Sequence, residues 1–173
     1  MTTSRIPGPV SASEREPAFF KCSSTEVCAS YKGLTPANPA ASKVGRANVG
    51  SNTSPERVLR RALDRLGGRY RLDARDLPGK PDLVFRNARV AVFCDGDFWH
   101  GRDWRRRRRA LARGSNSDYW LAKINRNRTR DRTVNRLLQR LGWYPIRRWE
   151  TDILRQPDKI AREILVVVRR RSS

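Results

Sequence analysis

The stretch Leu77-Pro78-Gly79-Lys80-Pro81, then Asp82-Leu83-Val84-Phe85, Arg86-Asn87-Ala88 and Arg89-Val90-Ala91-Val92-Phe93-Cys94, decides the fold. Two apolar runs rich in β-branched and aromatic residues flank a short polar break, the pattern of a β-hairpin or of a meander. The turn-rich link ahead of Asp82 separates these strands from whatever precedes them. The second run is mostly apolar at both parities, so it is expected as a central strand covered on both faces.

Upstream, Thr53-Ser54-Pro55-Glu56 has the spacing of a capping box with Pro in the first turn, and Val58, Leu59, Ala62, Leu63 and Leu66 then share one helical face as far as Gly67-Gly68. Tyr70 and Leu72 alternate with Arg69, Arg71 and Asp73, which predicts a half-buried strand. Downstream, an Arg-rich loop leads to a helix carrying Tyr119, Trp120, Leu121, Ile124, Val134, Leu137, Leu138 and Leu141. A strand over Trp143 to Trp149 and a helix with Ile160, Ile164, Leu165 and Val168 follow. The order α-β-β-β-α-β-α indicates an α/β sandwich with a mixed sheet. Residues 1–50, rich in Pro, Gly, Ser, Ala and Thr without apolar period, read as a low-complexity tail. Residues 51–168 read as the folded domain and 169–173 as a basic C-terminal tail.

The 173 residues carry 38 Lys+Arg against 17 Asp+Glu, a net charge of +21, and 32 of the cations are Arg. Residues 102–148 alone contribute +13. So concentrated an excess points to a polyanion, most commonly nucleic-acid phosphate; the bland alternative is a solvated basic surface. The longest apolar runs, Val90–Cys94 and Ile164–Val168, have five residues each, against about 20 for a membrane span, so no membrane partner is expected. Pro and Gly within the first ten residues argue against an export signal, and the expected location is cytoplasmic, with the nucleoid. Three cysteines do not make a disulfide framework.

Asp82 opens one strand and Asp95 closes the next, so an antiparallel pairing can bring both carboxylates to one corner of the sheet. Such a pair suits Mg²⁺, and Glu56 could add a further acidic group. Taken singly, Asp82 is equally a strand-entry residue and Asp95 a turn former before Gly96. His100, the single histidine, lies five residues beyond Asp95 and could activate water for attack on a phosphodiester. Phe98-Trp99 in the same loop could fold back into the core or be presented to bases; neighbouring Arg102 and Arg105 to Arg109 favour presentation.

Together these residues resemble the Vsr family, the very short patch repair endonucleases. The shared string runs through Thr53-Ser54-Pro55-Glu56, Leu77-Pro78-Gly79-Lys80-Pro81-Asp82-Leu83-Val84-Phe85, Phe98-Trp99-His100-Gly101, Tyr119-Trp120-Leu121-Ala122-Lys123-Ile124, Arg130-Asp131, Leu141-Gly142-Trp143 and Trp149-Glu150, across roughly residues 42–165. The resemblance implies a restriction-endonuclease-like sandwich of the PD-(D/E)XK type with a mixed central sheet flanked by helices. It also implies a Mg²⁺-dependent nick beside the T of a T:G mismatch left by 5-methylcytosine deamination. On the matching positions Asp82 would be the principal metal ligand, with Asp95 near the metal and Cys94 offering its main-chain carbonyl. His100 would be the general base, Glu56 a supporting acid and Phe98-Trp99 the wedge entering the duplex. Arg102, Arg105, Arg106 and Lys123 are the expected phosphate contacts. The expected partner is double-stranded DNA with a T:G mismatch, bound by a monomer, with recruitment of a mismatch-repair protein left open.

Two departures matter. The family's structural zinc, held by Cys and His, begins before F-W-H and ends after W-E; here those positions are Asp97 and Thr151, and Gly101-Arg102-Asp103-Trp104 has no Cys or His, so no zinc is expected. Packing of Trp104, or an ion pair among Arg102, Asp97 and Asp103, could hold the loop instead. The family's N-terminal wedge would fall at Val44-Gly45. Two alternatives stand beside the mismatch enzyme: a restriction-type nuclease of the same fold without mismatch specificity, and a non-catalytic basic DNA-binding module.

Overall fold

The computed structural model describes residues 52–72, 74–114 and 116–172. The N-terminal tail and the wedge at Val44 lie outside the described residues. Along the chain come α1 (Ser54–Arg65), β1 (Leu83–Phe85), β2 (Val90–Asp95), α2 (Trp104–Leu111), α3 (Ser117–Arg140), β3 (Tyr144–Trp149), α4 (Glu150–Arg155) and α5 (Pro157–Ser172). None of these helices is long and apolar enough to cross a membrane.

β1 and β2 form the expected hairpin, antiparallel with Leu83 opposite Val92, and β3 adds parallel to β2 with Phe93 opposite Arg147. The sheet is small and mixed, and β2 is its centre. A parallel neighbour cannot follow a tight turn, and the chain between β2 and β3 is the crossover made by α2 and α3. Because side chains alternate across a strand, β2 divides its residues between two apolar clusters. Val90 and Val92 join Leu83, Phe85 and Ile146 against Leu59 and Leu63 of α1, Ile153 of α4 and Ile160 and Ile164 of α5. Ala91 and Phe93 join Val84 against Val134 and Leu138 of α3, with Ala74 and Leu77. Complete burial of a Leu or Ile side chain contributes about 1.5–3 kcal/mol, which makes β2 the most costly strand to disturb.

Gly79 lets the link to β1 lie against α3: its φ is +78°, and a Cβ there would come within 2.4 Å of Val134 Cγ1. That approach places Asp82 on the side of the sheet covered by the helix that carries Asp131.

Four expectations are corrected. Arg69–Leu72 is not a strand; Arg71 makes a single antiparallel bridge to Val84, donating at 2.8 Å and accepting at 2.9 Å. β1 is only three residues long, and Leu72 is 47% exposed, so extending the pairing would bury little. The Arg-rich segment is not all loop, because Trp104–Leu111 is helical; Arg is a good helix former and such a run needs no core to be amphipathic around. Glu150–Arg155 adds a short helix before α5. Residues 169–172, read as tail, are the last turn of α5, where Arg171 donates to the carbonyls of Ala88 (3.1 Å) and Gly142 (3.2 Å).

Candidate active site

Strand parity sets the site. Asp82, Phe93 and Asp95 lie on the sheet face that α3 covers, and Arg147, in register with Phe93, shares it. With Glu56, His100, Asp131 and Glu150 they line one open cleft of about 610 Å³.

The Cys94 backbone N–H donates to Asp82 Oδ2 at 2.7 Å, locking the carboxylate across the hairpin mouth. Burial pushes the Asp82 carboxyl up to about 6 despite that hydrogen bond, and the charges of Glu56 and Asp95 push the same way. The Cys94 thiol, on the opposite face of β2, is raised strongly by burial, which makes it an inert packing group. Asp82 is therefore a part-buried carboxylate beside two further acids, and the Arg147 charge only partly offsets them, as expected for a carboxylate that meets a cation.

Glu56 is held at the start of α1. It accepts from the backbone N–H of Asn52 (2.8 Å) and Thr53 (3.2 Å) and from the Thr53 hydroxyl (2.6 Å), closing the predicted capping box. Its first duty is thus structural, although its charge is felt at Asp82.

His100 and Asp95 meet, with Nδ1 3.6 Å from Asp95 Oδ1, but the short contact is to a residue to which the sequence assigned no role: Asp131 Oδ2, at 2.7 Å. Burial raises the Asp131 carboxyl, but the hydrogen bond and charge of His100 and the Arg147 guanidinium outweigh it and leave it below the ordinary range. Arg147 donates through Nη1 to Asp95 at 2.7 and 3.0 Å, reaches Asp131 Oδ1 through Nη2 at 3.2 Å, and donates through Nε to Asn135 at 3.1 Å. Asp95, His100 and Asp131 bring ligand atoms within 4.8 Å of one another, close enough to hold a metal ion. The Arg147 guanidinium already supplies positive charge there, so Asp82 is the carboxylate with greater need of a cation.

Phe98 and Trp99 belong to neither core cluster. They stack edge-on with each other at 5.0 Å, and Trp120 of α3 joins them at 5.5 and 6.0 Å. Lys123 lies 4.8 Å over Trp99, and Arg107 lies 5.3 Å over Phe98, so the aromatic group carries a cationic rim. Asn127 donates to the Trp99 carbonyl at 2.9 Å and fixes the turn to α3.

The two positions at which the resemblance places zinc ligands touch one another: the Thr151 hydroxyl donates to Asp97 Oδ2. Arg102 joins Asp97 at 3.5 Å and Asp152 at 2.7 Å, while Glu150 accepts from the Asp97 N–H at 3.0 Å. Trp104 stacks under Arg128 at 4.9 Å. Arg102, expected at DNA phosphate, is occupied within this network, whereas Arg105 and Arg106 are exposed on α2.

Asp131 did leave a trace in the sequence: it lies seven residues from Ile124 and from Leu138 and three from Val134, on the buried face of α3. Trp120 stood within the matched string but was given no part in the wedge. Arg147 left no local signal.

Comparison with known proteins adds the family. Residues 35–106 match the model described as DNA mismatch endonuclease Vsr. The type II nicking enzyme V.HpaIIP of Haemophilus parainfluenzae is 44% identical over 65% of this chain and 78% of its own length. The type II nicking enzyme V.NmeDIP of Neisseria meningitidis serogroup C is 39% identical over 73% and 84%. The DNA mismatch endonuclease Vsr of Escherichia coli strain K12 is 35% identical over 72% and 77%. On that identity and coverage, carried by a cleft in which Asp82, Asp95 and His100 converge, this chain belongs to the Vsr family of DNA endonucleases.

Proposed function

We propose that this protein nicks duplex DNA beside the T of a T:G mismatch formed by deamination of 5-methylcytosine, with Mg²⁺ as cofactor and a restriction-endonuclease-like sandwich as its frame. The observation that carries this is the pairing of His100 with Asp131 in the same cleft as the part-buried Asp82.

The donor set fits a hard divalent cation: Asp82 with one oxygen on the Cys94 N–H, the Cys94 main-chain carbonyl beside it, and Glu56 within electrostatic reach. When bound, Mg²⁺ would stabilise the negative charge that develops on the phosphate during hydrolysis. The protein's own groups do the rest. Asp131 accepts from His100 Nδ1, which leaves Nε2 as the nitrogen able to take a proton from the attacking water. Attack breaks one phosphorus–oxygen bond in one strand. Phe98, Trp99 and Trp120 present ring faces and edges suited to stack on or part a base step, and the cations of α2 lie beside them.

A second reading has specific support. V.HpaIIP and V.NmeDIP are named for nicking and not for a mismatch, so a nicking enzyme without T:G preference remains the competitor. The deciding experiment compares matched and T:G duplexes, with Mg²⁺ or a chelator, for the wild type, Asp82→Ala and His100→Ala. Preferential cutting of T:G that both substitutions abolish supports the proposal. Equal cutting of both duplexes supports the competitor, and DNA binding without cutting supports a non-catalytic module.

A further inference from the structure

Arg147 lies inside the cleft, yet the proposed nicking chemistry does not use it. It is four-fifths buried, its guanidinium lies 4.3 Å over the Phe93 ring, and all three of its nitrogens are engaged. A phosphate-binding arginine keeps donors for the ligand; this one spends them on Asp95, Asp131 and Asn135.

The allotment of those donors is unequal. On Asp95, Nη1 engages both oxygens, at 2.7 and 3.0 Å. On Asp131, Nη2 engages only Oδ1, at 3.2 Å. His100 Nδ1 faces both carboxylates, and one N–H serves one acceptor well. It binds the oxygen that Arg147 leaves open, Asp131 Oδ2 at 2.7 Å, and stays 3.6 Å from Asp95.

We propose that Arg147 is a positioning residue, which by occupying both oxygens of Asp95 and one of Asp131 assigns His100 Nδ1 to Asp131 and so fixes the orientation of the imidazole. Without the fork, Asp95 becomes a competing acceptor at the same nitrogen, and two unpaired carboxylates repel across the site. Asp95 then acts through Arg147 and not as a group that touches the substrate. The effect on turnover rests on the proposed role of His100; the effect on the imidazole does not.

His100 is the only histidine in the chain, so a long-range proton–nitrogen spectrum of the full, metal-free protein at about pH 8 contains one imidazole whose tautomer can be read directly. The variants are Arg147→Gln, Arg147→Lys, and Arg147→Gln combined with Asp95→Asn. The wild type should show an Nδ1–H tautomer whose hydrogen-bonded proton gives one sharp signal. Arg147→Gln should keep that tautomer, since both carboxylates accept at Nδ1, but show its proton shifted and exchange-broadened between Asp131 and Asp95, with a kcat lower by about tenfold or more and the KM for duplex DNA within about twofold of wild type. Arg147→Lys keeps the charge but not the fork, and should fall between. Adding Asp95→Asn should restore the single sharp Nδ1 proton on Asp131, because the competing carboxylate charge is gone. An unchanged imidazole in Arg147→Gln, or a raised KM at wild-type kcat, overturns the proposal. Should Arg147→Gln fail to fold, Arg147→Lys decides alone, and a wild-type Nδ1 proton signal there overturns it. If the wild type cuts no duplex, the nicking proposal fails while the imidazole measurement still tests this one.

Discussion

Replacing Asp82 with Asn should abolish nicking and at the same time make the folded chain more stable. In the folded protein burial, aided by Glu56 and Asp95, lifts the carboxyl from 3.8 to about 6. The folded state therefore holds a proton that the unfolded chain has already released between about pH 4 and pH 6, and stability falls as pH rises through that window. Above it the penalty is complete. Each tenfold change in a proton equilibrium is worth about 1.4 kcal/mol, so the ionised carboxylate costs the fold about 3 kcal/mol at neutral pH. Asn keeps an oxygen to accept the Cys94 N–H and removes the charge, whereas Ala would orphan that buried donor. After allowance for burial of the new amide, a gain of about 1–3 kcal/mol is expected, or roughly 4–12 °C in Tm for a domain of this size. The assay is thermal unfolding of wild type and Asp82→Asn with a chelator, at about pH 4 and pH 7.5. The difference should be small at the lower pH, where the folded wild type holds the proton and the unfolded chain has released only part of its own, and full at the higher. Added Mg²⁺ should raise the Tm of the wild type and leave that of the variant in place. A variant no more stable than wild type at pH 7.5, or equally stabilised at pH 4, would refute the claim that the Asp82 charge is held at a net cost to the fold.

Asp131→Asn should lower kcat by about 10–100-fold with little change in duplex affinity, measured by single-turnover nicking, because it removes the charge that orients His100 and leaves the DNA-facing cations alone. Glu56→Ala should lower stability by about 0.5–2 kcal/mol in denaturant titration through loss of the capping box, independently of any loss of cutting. Arg105→Gln with Arg106→Gln should reduce the slope of log K against log salt by about 2, while Arg102→Gln leaves that slope unchanged and lowers Tm slightly, since its donors go to Asp97 and Asp152.

The hairpin and the placing of Asp82 and Asp95 were legible because they rest on period-two alternation and on turn residues, both local in the chain. The capping box was legible for the same reason, and with it the position of Glu56. Residues 69–73 show the limit of that signal: alternation was present, but β1 offers only three residues to pair with, so a single bridge formed. The Arg-rich segment failed in the opposite sense, because low hydropathy suggested a loop where Arg's helix propensity and the Trp104 contact on Arg128 sufficed for two turns. His100 was found from its neighbours, but its partner Asp131 lies 31 residues away and could be placed only through the phase of α3. Arg147 depends on the parallel register between β2 and β3, a non-local fact that no short window contains.

The charge excess of residues 102–148 consequently divides into two populations with different duties. Arg102, Arg128 and Arg147 point at acids or rings of the protein itself, and each fixes a piece of the turn that bears Phe98, Trp99 and His100. Arg105, Arg106, Arg108 and Arg109 lie on a helix without a single buried residue, and there the charge is available to a polyanion. Where the family resemblance implies a metal tying this turn to the end of β3, the chain instead sets Asp97 against Thr151 and draws in Arg102, Asp152 and Glu150. Such a network is directional and partly exposed at Asp152, so it should hold the turn less rigidly than four metal bonds and weaken as salt is raised. A basic chain that anchors the turn bearing His100 with ion pairs thus couples two properties, since the salt that weakens binding to a polyanion weakens the support of His100 as well.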